Sequence, residues 1–255
     1  MQAKVILSRF SAIALVICLL LVIQSRLIEG DNEAHPQATN PPVSIAPVST
    51  PEPTPEPTPE PQRPAVDIHS WEFTIANYKQ PLKASFAPVV WATVNGQYFD
   101  SRAVEALEAF VEGASEAGFE TYVNMGYRPF ETQRILFFGK ASQIAWGGTV
   151  EYAEAEEMAK EFVAYPGTSD HQVGLGADIL DKNYDAYPED FGETELGKWL
   201  AENCAEYGFI LRYPEGKKDV TGFKYEPWHF RYVGVDAAVF MMENDITLEE
   251  FVRLF

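Results

Sequence analysis

Two short stretches of this chain carry the side-chain types of a metal site. His171 and Asp178 stand seven residues apart, with Gly174 and Gly176 between them, so a loop can fold back and direct an imidazole and a carboxylate at one point. His229, in the second stretch, adds another imidazole. Two histidines and one carboxylate leave a fourth coordination position open, which is the ligand count of a catalytic zinc site.

A further carboxylate, Glu226, lies three residues before His229. In a zinc hydrolase such a group takes a proton from the attacking water, whose pKa the metal lowers towards ~7. We therefore expect Glu226 to be the general base. The alternative is a carboxylate that only orients a metal ligand.

Histidine is scarce in this chain. Of its four histidines, His35 lies in a proline-rich segment and His69 lies at the border of that segment. The globular part therefore places both of its remaining histidines in the two stretches described above. Each of them alone can be a hydrogen-bonded core residue, and a short His/Asp spacing also arises by chance. The Glu-x-x-His pair makes a metal site the better interpretation.

The motifs of a known family surround these residues. In chain order they are Gly126-Tyr127-Arg128 with Gln133, Ser169-x-His171-x-x-Gly174 with Asp178, Glu226-Pro227-Trp228-His229, and Arg231-Tyr232-Val233-Gly234. In order, residue type and spacing, the pattern from about Phe86 to Gly234 resembles the VanY-type D-alanyl-D-alanine carboxypeptidases of the LAS group of zinc peptidases. Gly176 stands where that family usually has alanine. Because both residues are small, we expect little effect on the ligand geometry.

The resemblance implies a role for each matching position. It implies Zn²⁺ ligands at His171, Asp178 and His229 and a general base at Glu226. It also implies substrate contacts from Arg128, Gln133 and Ser169, with Arg128 taking part in catalysis. A guanidinium is a planar, charged fork that suits a carboxylate or an anionic tetrahedral intermediate. The alternatives are a surface salt bridge for Arg128 and a local turn hydrogen bond for Ser169.

The expected function is therefore that of a zinc D,D-carboxypeptidase, which removes the terminal D-Ala from peptidoglycan stem peptides or their precursors. An L,D-carboxypeptidase or a peptidoglycan endopeptidase can use the same zinc residues, because the pocket walls set the stereochemical preference. A non-catalytic cell-wall-binding module is the alternative of another class. Decay to such a module is expected to break the set of ligands and base, and here the set is complete.

Composition divides the 255 residues into three parts. Residues 1–30 hold the uncharged apolar run Phe10 to Ile23 after Lys4 and Arg9, which is typical of an export signal or membrane anchor. Residues 31–64 form a proline-rich linker, and 11 of the 18 prolines lie between residues 35 and 64. Residues 65–255 form the catalytic domain. We expect an extracytoplasmic protein of the cell envelope, anchored through its N-terminal segment or secreted.

The net charge and the cysteines bear on the binding partners and on disulfide bonds. A net charge of −19 makes nucleic acid a poor partner. The only cysteines are Cys18, within the predicted membrane segment, and Cys204, far from it in the catalytic domain, so no internal disulfide is expected. We predict that Cys204 is a buried small apolar residue rather than a catalytic thiol.

The hydrophobic pattern predicts an α+β fold, with helices packed on a small antiparallel sheet and the zinc site in a cleft. A helix capped by Asp100 or Ser101 is expected to end at Gly118. The other predicted helices cover residues 130–138, 151–164, 194–207, 235–243 and 248–254. The predicted strands cover residues 119–124, 174–180, 209–213 and 228–233.

Overall fold

The computed structural model describes residues 62–93, 95–183, 187 and 190–255. The predicted export segment, residues 1–30, lies outside the described residues, and so does the linker except for residues 62–64. Within the described part of the chain, none of the helices has the length and apolar character needed to cross a membrane.

Helices and short strands follow one another along the described chain. The strands are β1 (Val90–Ala92), β2 (Tyr98–Asp100), β3 (Thr121–Met125), β4 (Gly176–Asp181), β5 (Phe209–Leu211) and β6 (His229–Tyr232). The helices are α1 (Val104–Glu116), α2 (Phe130–Ala145), α3 (Tyr152–Ala159), α4 (Asp170–Val173), α5 (Glu195–Asn203), α6 (Lys218–Thr221), α7 (Val235–Glu243) and α8 (Leu248–Val252).

The strands form two antiparallel sheets. Strands β1 and β2 make a hairpin, and the main sheet has the strand order β3-β4-β6-β5. Every neighbouring pair in the main sheet is antiparallel. The predicted α+β class, with helices on a small antiparallel sheet, is therefore confirmed.

The register of the two central strands divides the main sheet into a polar and an apolar face. Asp178 of β4 lies opposite His229 of β6, and Gly176 lies opposite Arg231. Opposed residues in an antiparallel pair share one face, and neighbours along a strand alternate between faces. Asp178, His229 and Arg231 therefore stand on the same side of the sheet.

The apolar face packs against α1 and α5. It carries Ala177, Ile179, Phe209 and Phe230, all fully buried. The ring of Phe110 on α1 lies 5.3 Å from the ring of Phe209 and 5.4 Å from that of Phe230. Cys204 is buried in the same cluster, as predicted, and burial raises the pKa of its thiol to about 12. This core fixes the sheet whose other face carries the site.

Several element boundaries differ from the sequence prediction. The cap of α1 is Ala103, and Asp100 instead accepts hydrogen bonds from Arg102, so the prediction of an Asp100 or Ser101 cap is wrong. Helix α2 runs on to Ala145. Helix α3 ends at Ala159 rather than Ala164, because the amides of residues 160–162 donate to carbonyls three residues back, in the tighter turns that close a helix. The hairpin and the short helices α4 and α6 were not predicted.

Candidate metal centre and active-site cleft

The three predicted metal ligands meet at the polar face of the main sheet. His171 lies on α4, Asp178 on β4 and His229 at the start of β6. All three are buried, and each offers a ligand atom within 4.8 Å of the others. Gly174 ends α4 with a φ of 85°, a left-handed conformation that glycine adopts without strain. This turn connects His171 directly to the strand that carries Asp178.

The distances between the donor atoms fit a small metal ion. Oδ1 of Asp178 lies 3.4 Å from Nε2 of His171 and 2.9 Å from Nδ1 of His229. Ligands about 2.0–2.1 Å from a tetrahedral zinc are about 3.3 Å apart. Two imidazole nitrogens and a carboxylate oxygen are also the donors that zinc prefers among common ions.

A hydrogen bond orients the His171 ring. Its Nδ1 lies 2.8 Å from the carbonyl oxygen of Gly126, so Nδ1 donates and Nε2 keeps its lone pair for a metal. Gly126 follows β3, and a side chain there would collide with the carbonyl of Tyr98, 2.2 Å from the Cβ position. Only glycine lets the backbone approach this closely, so the Gly-Tyr-Arg motif places the acceptor of His171.

The protonation states of Asp178 and His171 favour metal binding, because both side chains are in the form that binds a metal. Burial raises the pKa of Asp178, but His171 and His229 outweigh this and hold it well below its usual range. Burial lowers the pKa of His171. Burial also lowers the pKa of His229, yet the nearby carboxylates of Asp170 and Asp178 raise it to about 9. Metal binding therefore has to displace a proton from His229.

Glu226 stands beside these ligands at the edge of the cleft. Its Oε2 lies 3.7 Å from Nδ1 of His229, and 29 % of its side chain stays exposed. Burial raises the pKa of Glu226 to about 7, against the opposing effect of His229. A carboxyl group with a pKa near neutrality, open to the cleft, can both accept and donate a proton.

Arg128 reaches the same cleft, and the two other predicted substrate residues hold it in place. Its Nε donates to Oε1 of Gln133 at 2.6 Å, and its Nη2 donates to Oγ of Ser169 at 3.4 Å. Burial lowers the pKa of Arg128, and the carboxylates of Asp178 and Glu226 counteract this effect. Gln133 is fully buried, and its amide donates to the Ala164 carbonyl. Gln133 thus orients Arg128, and its direct contact with substrate stays a prediction.

These residues line one cavity of about 520 Å³. Its lining includes Arg128, Ser169, His171, Asp178, Glu226 and His229, together with Trp228 and Tyr213. The cavity continues along α2 as far as Lys140 and Gln143. The structure thus brings together all the predicted site residues, with Gln133 one layer behind the surface.

Two residues at the site were missed by the sequence prediction. The hydroxyl of Tyr187 donates to Oδ2 of Asp178 at 2.7 Å and accepts from Asn124 at 2.8 Å. Asp170, next to His171, accepts a hydrogen bond from Arg231 at 2.6 Å. Tyr187 follows β4 in a segment without periodic pattern, so no sequence signal marks it. Asp170 lies inside the Ser-x-His motif, at the position left unspecified.

Comparison with known proteins agrees with this geometry. The family model for VanY, D-alanyl-D-alanine carboxypeptidase, matches residues 96–235. The Bacillus subtilis (strain 168) protein YodJ is 41 % identical over 159 residues, which are 62 % of this chain and 55 % of YodJ. The D-alanyl-D-alanine carboxypeptidase of Enterococcus faecalis (strain ATCC 700802 / V583) is 34 % identical over 187 residues, 73 % of this chain and 68 % of that one. The chain thus spans about half the length of YodJ.

Solved structures show the same fold. The VanYB structure in complex with D-alanine-D-alanine has a TM-score of 0.64 and 33 % identity, and covers 72 % of this chain and 98 % of that one. A single-residue variant of the D,D-pentapeptidase VanY from the VanB-type resistance cassette was solved in complex with Zn(II). It has a TM-score of 0.63 and 33 % identity, and the match covers 72 % of this chain and 99 % of that one. The LD-carboxypeptidase LdcB has a TM-score of 0.60 and 36 % identity, and the match covers 70 % of this chain and 84 % of that one. Because the family model spans more than half of the chain and every predicted site residue, the chain belongs to the VanY family of D-alanyl-D-alanine carboxypeptidases.

Proposed function

We propose that this chain is a zinc-dependent D,D-carboxypeptidase that removes the terminal D-Ala from peptidoglycan stem peptides or their precursors. The observation that carries the proposal is the single cleft shared by three buried metal-binding side chains, a carboxyl group with a raised pKa and a half-buried guanidinium. Family membership and the named activity of the enterococcal relative support the same reaction.

His171, Asp178 and His229 would hold the metal. When bound there, a zinc ion would supply a water with a pKa lowered towards ~7 and a Lewis acid for the scissile carbonyl. Neighbouring groups hold the ligand side chains in orientation. The carbonyl of Gly126 accepts from His171, and Tyr187 donates to the second oxygen of Asp178. These partners matter because ligand orientation sets metal affinity.

Glu226 is proposed to move the proton. Its carboxylate accepts a proton from the attacking water and passes it to the amine of the departing D-Ala. Its position supports this double role, because Oε2 lies 3.7 Å from Nδ1 of the ligand His229 and so beside the place where a metal-bound water would stand. The 29 % of its side chain that stays exposed leaves room for water and substrate beside it.

Arg128 is proposed to bind the C-terminal carboxylate of the substrate. Gln133 accepts from its Nε and Ser169 from its Nη2, which fixes the plane of the guanidinium at the lining of the cleft. Asp178 and Glu226 add negative charge to the cleft, so a substrate carboxylate needs this cation to enter. A carboxylate held by Arg128 places the last peptide bond, rather than an internal one, at the reacting groups.

The length of the cavity favours a stem peptide over a free dipeptide. Along α2 the lining extends from Ile135 to Gln143, a rise of eight residues or about 12 Å at ~1.5 Å per residue. That length accommodates peptide residues on the N-terminal side of the scissile bond.

An L,D-carboxypeptidase is the second candidate, and the similarity to LdcB favours it. The same metal and base would serve both reactions, because they act on the carbonyl and the water rather than on the side chain of the residue before the bond. Parallel assays of a pentapeptide ending in D-Ala-D-Ala and a tetrapeptide ending in a single D-Ala separate the two. Faster cleavage of the tetrapeptide would replace the proposed D,D activity with the L,D activity.

First, the full-length chain is expected to bind one zinc ion, and His171→Ala is expected to lose it along with activity. The variant removes one of three protein ligands. Elemental analysis after gel filtration measures the metal. His69→Ala, which removes an exposed histidine, is the matched control and keeps its zinc. A His171→Ala protein with normal zinc and turnover would disprove the ligand assignment.

Second, Glu226→Gln is expected to keep zinc and fold while kcat falls by ~10² to 10⁴, because the amide keeps the shape but cannot accept the proton. Steady-state kinetics and elemental analysis are the two readouts. Glu215→Gln, an exposed carboxylate nearby, is expected to behave as wild type. Near-normal turnover in a zinc-loaded Glu226→Gln enzyme would reduce Glu226 to an orienting residue.

Third, amidation of the C-terminus is expected to abolish most cleavage of a peptide ending in D-Ala-D-Ala, and Arg128→Lys is expected to lower kcat/KM about 10- to 100-fold on the free acid. Lysine keeps the charge but loses the planar fork. Arg134→Lys, an exposed arginine on the neighbouring helix α2 paired with Glu131, is the control. Equal rates on the acid and the amide would show that the enzyme cuts internal bonds, in favour of the endopeptidase alternative.

Fourth, we propose that the enzyme works outside the cytoplasm, held at the membrane by residues 1–30 and spaced from it by residues 31–64. The apolar run after Lys4 and Arg9 supports the anchor, and the proline-rich composition supports the spacer. Cell fractionation is expected to place the full chain with the membranes and a chain lacking residues 1–30 in the cytosol. The same distribution for both chains would contradict the anchor.

A further inference from the structure

Two buried polar atoms face each other behind the metal-binding side chains. Oδ2 of Asp170 and Nε2 of His229 lie 3.7 Å apart, and both residues are almost completely buried. Within the described residues, neither atom has a hydrogen-bond partner. Buried polar atoms without partners are rare in folded proteins, so each of them needs an explanation. At 3.7 Å the two atoms are just beyond a formed hydrogen bond.

The backbone leaves the line between these atoms open. Nδ1 of His229 faces Asp178 at 2.9 Å, so the opposite ring nitrogen must point towards Asp170. Gly176, across the strand pair, has no side chain there. A Cβ at this position would lie 3.0 Å from Nε2 of His229 and 3.2 Å from Oδ2 of Asp170. With glycine, the imidazole and the carboxylate can close the remaining gap by a small shift.

The other oxygen of Asp170 is firmly held. Oδ1 accepts from Nη1 of Arg231 at 2.6 Å and lies 3.6 Å from Nε of Arg212. Arg231 also donates to the carbonyl oxygens of Glu72 and Thr74, at 2.7 and 2.8 Å. These contacts fix the plane of the carboxylate and aim Oδ2 at the histidine.

The charges of this buried cluster are already balanced without the histidine. Arg212 makes two hydrogen bonds of 2.8 Å to Glu249, which also accepts from Asn77 at 3.0 Å. Two arginines thus face two carboxylates, Asp170 and Glu249. The second oxygen of Asp170 is therefore available to a neutral N–H donor.

We propose that Asp170 is the positioning residue for His229, and that its Oδ2 accepts the Nε2–H of that ring. This inference rests on the proposed metal site. The hydrogen bond selects the tautomer that keeps the Nδ1 lone pair, so His229 binds the metal through Nδ1. His171, whose Nδ1 donates to Gly126, binds it through Nε2. The two histidine ligands therefore use different ring nitrogens, each fixed by its own acceptor.

Long-range ¹H–¹⁵N NMR of the full-length, zinc-loaded chain labelled at histidine tests this proposal. Variants His35→Ala and His69→Ala identify the signals of the two other histidines. The expected spectrum shows metal-bound rings of both tautomers, with His229 protonated at Nε2 and its proton shifted downfield by the hydrogen bond. His229 protonated at Nδ1 would overturn the proposal, and this result needs no variant of Asp170.

The variant Asp170→Asn gives the second readout. Its single oxygen pairs with Arg231, so an NH₂ group faces the histidine and disfavours the Nε2–H tautomer. We expect the downfield signal of His229 to disappear and the zinc Kd, from competition with a chelator, to rise ~10- to 100-fold.

Glu249→Gln is the matched control, because it removes the other carboxylate of the same buried cluster without touching His229. It is expected to lower stability but to leave the His229 signal and the zinc Kd within about twofold of wild type. Equal changes in both variants, or an unchanged Kd in Asp170→Asn, would mean that Asp170 only neutralises the arginines. A wild-type chain that binds no zinc through His171 and His229 would instead overturn the proposed function, and this inference with it.

Discussion

The pairing of β4 with β6 is the constraint on which the site depends. In this register Asp178 stands directly opposite His229, and the two side chains share one face of the sheet. A shift of one residue would turn one of the two ligands into the apolar core and expose a core residue to the polar face. The same register therefore sets both the packing of the core and the geometry of the metal site.

One face of the main sheet packs in an apolar core, and the other face supports the metal-binding side chains. Phe209, Phe230 and Phe110 hold one face in a close aromatic cluster. The opposite face buries a network of charges, in which Arg231 and Arg212 connect Asp170 to the backbone near Glu72 and to Glu249 on α8. Segments from both ends of the domain thus support the carboxylate that lies behind His229. Removing one member of such a network leaves another charge buried without its partner.

Sequence reasoning found the residues that act chemically because their types are rare and their spacings are local. His171 and Asp178 are joined by one glycine turn, and Glu226 and His229 by one turn of backbone, so short motifs report their geometry. The partners that orient them are not visible in this way. Tyr187 and Asp170 act through tertiary contacts, and so does Gln133, whose amide donates to a carbonyl 31 residues away. From the sequence alone, Gly176 is a conservative replacement for alanine. The structure shows that a Cβ at this position would lie 3.0 Å from Nε2 of His229 and 3.2 Å from Oδ2 of Asp170.

X-ray absorption spectroscopy at the zinc edge of the full-length, zinc-loaded protein tests the central claim most directly. We predict a first shell of four nitrogen or oxygen atoms at ~2.0–2.1 Å, with the outer-shell scattering of two imidazole rings and no sulfur. One imidazole or none, or a sulfur neighbour at ~2.3 Å, would place the metal elsewhere and contradict the His171, Asp178 and His229 site.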